Sequence, residues 1–131
     1  MKKEVHVHIY IDDEAEPRSS SSMRNNLEPD HHYIEVYRDE AAPEHKLDDI
    51  LAHELGHVVQ RVFNTKALQG DPRMRIPDSV FRAMSSVWGV PSTYKNGIVE
   101  AEKEAWMYAE KMIPIDPDLE AKDIKTYEDM T

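Results

Sequence analysis

The chain of 131 residues contains no cysteine. This excludes disulfide scaffolds, Cys-ligated zinc, iron–sulfur clusters and thiol nucleophiles. It also suits a reducing cytosol without demanding one. No run of 18 apolar residues occurs, so no transmembrane helix is expected. Positive charge is scarce: 16 Lys and Arg stand against 26 Asp and Glu, a net charge of -10. A duplex-binding protein needs a basic surface to neutralise phosphates, so nucleic acid is a poor partner for this chain. Anionic membrane surfaces are disfavoured for the same reason. The N-terminal MKKEVHVHIYIDDE has a short basic start but no apolar core and no small-residue cleavage site. It reads as a strand, not a signal peptide, and the expected location is the cytoplasm.

What remains is a polar-surfaced globule of one domain, 1–131, with 40% apolar and 32% charged residues and a mean hydropathy of -0.70. It has seven histidines, many for this length. Residues 4–11 alternate, with Val5, Val7, Ile9 and Ile11 opposite His6, His8 and Tyr10, which predicts a half-buried strand. Residues 12–30 are acidic, then Ser-rich, then turn-like, and read as a flexible loop. Residues 32–38 alternate again and predict a second strand. Ala41-Ala42-Pro43 opens a helix that runs to about Phe63, with Leu47, Ile50, Leu51, Leu55, Val58 and Val62 in a core-facing stripe. Residues 64–77 read as a loop. A short helix follows from Asp78 to Val87, broken by Gly89-Val90-Pro91. The PSTYKNG stretch reads as a turn-rich connector, and a last helix runs from about Ile98 to Ile113. An acidic tail, 115–131, is expected to be loosely attached. The pattern is α+β: a small antiparallel or mixed sheet packed on one helix, with one or two further helices closing a cleft.

His53-Glu54-Leu55-Gly56-His57 is an HExxH sequence. Histidines at i and i+4 lie one helical turn apart, so both imidazoles reach one zinc ion. The Glu beside the first His lies about 100° round the helix, where it can take a proton from a metal-bound water and pass it to a leaving amine. Chance produces an HExxH in a chain of this composition with a probability of roughly 4%, so context has to support it. The motif lies mid-helix in the strongest amphipathic segment. With Leu47 set at zero, the apolar stripe centres near ~30° and the two histidines fall near ~240° and ~280°, sharing one flank. Glu54 lies between them and the core. Gly56 keeps one side slim for a neighbouring element.

A zinc site needs a third protein ligand. The HExxHxxGxxH solution is closed, because Gln60 and Phe63 stand where its Gly and His would be. The final helix offers Glu100, Glu102, Glu104 and Glu110. Its buried face is set by Ile98, Ala101, Ala105, Tyr108, Ala109 and Met112. Glu102 falls about 40° from Ile98, inside that face; Glu100 and Glu110 point away, and Glu104 is marginal. A carboxylate on an apolar face is unfavourable unless paired or bound to metal. Glu102 is therefore the favoured third ligand, with Glu104 and Glu100 as the alternatives.

HELGH, followed some 45 residues later by Glu102-Lys103-Glu104-Ala105-Trp106-Met107-Tyr108-Ala109 and closing on Met112-Ile113-Pro114, resembles the gluzincin-type zincin metallopeptidases. The second stretch is similar to one in the ImmA/IrrE-type peptidases, and Ser92-Thr93-Tyr94 resembles a segment of the lethal-factor-like peptidases. The resemblance spans 44–63 and 92–114, under half the chain. It implies Zn2+ held by His53, His57 and Glu102, with Glu54 as general base. It also implies that Tyr94 hydrogen-bonds the tetrahedral oxyanion. Where such families often carry Asp or Asn four residues after the ligand Glu, this chain has Trp106. Glu104 or a backbone carbonyl would then support a ligand instead.

The implied function is a zinc endopeptidase acting on a protein or peptide segment. The alternative is an idle zincin-like domain that binds a protein partner; the intact Glu54 argues for the enzyme. His6, His8, His31 and His32 read as surface residues near the cleft, with a second metal site as the sharper alternative. Arg73, Arg75 and Arg82 read as scattered surface charge.

Overall fold

The computed structural model describes residues 5–12, 19–23, 31–37 and 44–129. Among the described residues, three strands, β1 (His6–Asp12), β2 (Ser19–Met23) and β3 (His31–Tyr37), precede five helices: α1 (Glu44–Phe63), α2 (Lys66–Gln69), α3 (Asp78–Trp88), α4 (Ser92–Met112) and α5 (Pro117–Glu128). A 3-10 turn, Pro72–Met74, joins α2 to α3. The architecture is α+β and mostly helical, with α1 packed against both the sheet and α4.

The sheet is mixed, in the order β1-β3-β2, with β1 parallel and β2 antiparallel to β3. Of the expected loop 12–30, the serine run is thus a strand, with Ser21 opposite Ile34. Serine favours turns and carries no apolar period, so only its pairing with β3 makes it a strand. The rest of that loop, 13–18 and 24–30, lies outside the described residues. The register puts Val7, Ile9 and Ile11 beside His32, Ile34 and Val36 on one face. α1 crosses that face over β3 and β2. Ile34 is consequently buried against Val58, with Leu47, Ile50, Leu51, Leu55 and Val62 around it. β1, at the sheet edge, keeps Val7, Ile9 and Ile11 partly exposed.

α1 has a second working face. Ala52 and Gly56 turn to α4, where a Cβ on Gly56 would collide with the Ala105 carbonyl. The two backbones approach this closely because the facing residues are small: Gly56 on one side, Ala101, Ala105 and Ala109 on the other. α1 ends at Phe63, where Asn64 takes a positive φ of 48°. Asparagine tolerates that conformation better than most residues.

Two segments differ from the reading of the sequence. The connector PSTYKNG is not a turn: α4 begins at Ser92, so Tyr94 and Gly97 are helical. Pro91 fits just ahead of the first turn because its missing N–H is not needed there. The acidic tail is not loose either. Pro117 sits in the first turn of α5, and Asp116 caps it by accepting from the Asp118 backbone N–H at 3.0 Å. Ile113, Ile115, Leu119 and Ile124 pack against Trp106 and Ala52. The Trp106 Nε1–H donates to Asp123 at 2.9 Å, and the Asp116 backbone N–H donates to buried Asp49 on α1 at 3.1 Å. No helix among the described residues is long and apolar enough to cross a membrane.

Candidate metal centre

His53 and His57 lie on the α4 side of α1, and Glu102 faces them from α4. The Nε2 atoms of both imidazoles point at one carboxylate oxygen, Glu102 Oε2, at 2.8 Å from His53 and 3.2 Å from His57. Glu102 is 1% exposed. One ligand atom from each of the three residues lies within 4.8 Å of the other two. Tetrahedral ligands bound at about 2.0–2.1 Å stand about 3.3 Å apart, close to the separations seen here. The three residues therefore form a group that could hold a metal ion, with two neutral nitrogens and one anionic oxygen as donors.

The other acids of α4 are placed differently. Glu100 is exposed, whereas Glu104 accepts from Thr65 Oγ1 at 2.5 Å and from Gln60 Nε2 at 3.1 Å. Glu104 faces the helix pair through these two partners, and the imidazoles face Glu102.

Gln60 joins this group with no signal in the sequence. It is fully buried (0% exposed), and its amide N–H groups are committed to the Ala101 carbonyl at 2.7 Å and to Glu104. Its Oε1 must then face His57 Nδ1, 2.8 Å away, and can only accept. This holds a proton on His57 Nδ1, so a metal ion could take the place of the proton that Nε2 donates to Glu102 Oε2. Glu104 thus reaches His57 through Gln60. Trp106 contacts the other imidazole: its ring stacks on His53 with centroids 4.3 Å apart and planes 10° apart. A stacked indole fixes the plane of the imidazole without using a hydrogen bond.

Arg73 was also missed. It is not scattered surface charge: its Nη2 donates to Glu102 Oε1 at 2.8 Å and to Asp71 Oδ2 at 2.7 Å. Asp71 is buried and caps the 3-10 turn. The only sequence signal for this was Asp71-Pro72-Arg73, a capped turn with a cation two residues on. α5 closes the group from outside, with the Tyr127 ring centroid 5.4 Å from the Arg73 guanidinium carbon.

The charges interlock. Burial alone would raise the Glu102 carboxyl. Hydrogen bonds from His53 and His57, with the charges of His57 and Arg73, outweigh it and hold the group far below the usual carboxylate range. Burial alone would lower His57, but its bond to Glu102 and the charges of Glu102 and Glu54 leave it raised. Burial and the nearby Glu102 and Asp123 push the Tyr127 phenol up.

Glu54 is buried beside the triad, its Oε1 3.8 Å from His53 Nδ1. Tyr94, in contrast, stands in the first turn of α4, eight residues and about 12 Å along the axis from Glu102. The structure does not bring it into the hydrogen-bonded group. His6, His8 and His31 form a cluster of their own on the sheet. His6 and His8 stack on His31 with centroids 4.4 and 5.1 Å apart, and His8 Nε2 lies 2.8 Å from His31 Nδ1. His32 is buried and accepts from Arg61 at 3.4 Å. Among the described residues, three or more potential ligands converge only at His53, His57 and Glu102. Comparison with protein-family models, curated proteins and solved structures found no match to this chain.

Proposed function

We propose that the chain is a zinc-dependent peptidase. The observation that carries this is the convergence of both imidazole Nε2 atoms of an HExxH helix on Glu102 Oε2 of a second helix. His53, His57 and Glu102 would hold Zn2+, an ion suited to two imidazoles and one carboxylate with a fourth position open. Bound there, zinc supplies a water of lowered pKa and a Lewis acid for the scissile carbonyl.

The chain's own residues do the rest. Glu54 accepts the proton of the attacking water and returns it to the departing amine nitrogen as the C–N bond breaks. With the metal bound, Gln60 would keep the His57 proton on Nδ1 and leave Nε2 free to ligate. Trp106 holds the plane of His53. Arg73, oriented by Asp71, offsets part of the Glu102 charge and anchors that carboxylate. Tyr94 as an oxyanion donor has no support in the geometry, which leaves Tyr127 as the phenol nearer to the triad. The substrate class is a protein or peptide segment.

Glu54→Gln tests the reading directly. It should retain zinc and fold while losing cleavage of a denatured-protein or peptide-library substrate by about 100-fold or more. Cleavage at wild-type rate in the folded, zinc-loaded variant would overturn it. Wild-type protein that holds zinc but cleaves nothing, with partner binding unchanged in Glu54→Gln, would favour a protein-binding module instead.

A further inference from the structure

Arg73 takes no part in proton transfer, yet it is held with more contacts than its exposure requires. Its backbone N–H donates to Asp71 Oδ1 at 2.9 Å, and its Nε lies 3.1 Å from both Asp71 oxygens. Its Nη2 then spans Asp71 Oδ2 at 2.7 Å and Glu102 Oε1 at 2.8 Å. The guanidinium is thus oriented by Asp71 before it reaches Glu102. Asp71 is in turn held by the tight contact of the α2–Pro72 turn with α4, where a Cβ on Gly97 would strike the Gly70 carbonyl.

The result is a division of labour between the two oxygens of one carboxylate. Oε2 faces the imidazoles and Oε1 faces the guanidinium. A carboxylate with neither oxygen engaged can close on a cation with both, which fills an additional coordination position. A charge-assisted bond to Oε1 opposes that closure in a buried site. It also draws electron density from the ligand, which favours a more acidic bound water.

We propose that Arg73 is a positioning residue that restricts Glu102 to one-oxygen ligation, so that positions remain free for water and for the substrate carbonyl. This rests on the reading of His53, His57 and Glu102 as metal ligands. Lysine could not replace arginine here, because a single ammonium lacks the planar fork that meets Asp71 and Glu102 together.

Cobalt(II) alone serves as the probe, since its visible absorption is strong when four-coordinate and weak when five-coordinate. The double variant Asp71→Asn/Arg73→Gln removes both charges, so no buried ion is left unpaired. The wild type should give the intense four-coordinate spectrum. The folded double variant should lose intensity towards the five-coordinate pattern, with Co2+ affinity reduced about 10-fold. Should that variant not fold, Asp71→Asn/Arg73→Met gives the same reading with an apolar side chain of similar length. A folded variant with wild-type spectrum and affinity would overturn the proposal while leaving the metal site intact. Wild-type protein that takes up no Co2+ would instead overturn the metal reading on which it rests.

Discussion

Helices α1 and α4 approach so closely that Gly56 has no room for a methyl group, whereas α3 leaves Val87 70% and Trp88 79% exposed. Yet α3, and not α1 as the spacing of its apolar residues suggests, is the most sharply amphipathic of the three. Amphipathicity reports that a helix has a face to bury, not what it is buried against. In the α1–α4 pair the close approach comes from glycine and alanine, and the buried face also carries His53, Gln60 and Glu102. Those polar groups weaken the apolar stripe of both helices. They are tolerated because each has a partner: Glu102 the imidazoles and Arg73, Gln60 the Ala101 carbonyl, His57 and Glu104. A helix pair that breaks the simple pattern while pairing the polar side chains on its shared face is what a functional site looks like.

The contrast can be broken from either side. Trp106→Ala should act most strongly: it empties a buried volume between α1, α4 and α5 and removes the stack on His53. A loss of about 3–5 kcal/mol in urea unfolding is expected, together with detachment of α5 seen as faster amide exchange. Gln60→Leu keeps the volume but strands the His57 Nδ1–H and removes one of the two donors to Glu104. It should cost about 10–100-fold in zinc affinity measured by competition with a chelator.

A smaller effect is expected where α5 meets the end of α4. Burial, and then its bond to Glu110, push the Glu120 carboxyl up to about 7. A carboxyl raised in the folded state stabilises it below its unfolded pKa, and that contribution fades as pH rises through about 7. The melting temperature should therefore gain on acidification from pH 8 to 5, and Glu110→Gln should flatten that gain. Glu120 is largely solvated, so the change is slight. Trp88→Ser on α3 should matter least, with stability within about 0.5 kcal/mol of wild type by the same unfolding measurement. A loss of several kcal/mol there would mean that α3 is packed, and the contrast would fail.

Much of the candidate metal centre is legible in the amino-acid sequence. The period of α1 places both histidines on one flank, and Glu102 stands out as a carboxylate among Ile98, Ala105 and Ala109. What is not legible depends on contacts between elements. Gln60 and Arg73 carry no period and no motif; their roles exist only because Ala101 and Glu102 arrive from α4. The serine run becomes a strand through β3, against its own propensity. In α5 the acids on the outer face hide the spacing of Leu119 and Ile124, which Trp106 needs as its cover. Pro91, legible as a break, stands at the start of a helix.

The central claim is that His53, His57 and Glu102 together bind one metal ion. Isothermal titration of zinc into metal-free protein tests it most directly, on wild type, Glu102→Ala and Glu104→Ala. The account predicts about one equivalent in wild type and in Glu104→Ala, and none in Glu102→Ala. Uptake below about a tenth of an equivalent in folded wild type, or full affinity in Glu102→Ala, would contradict it.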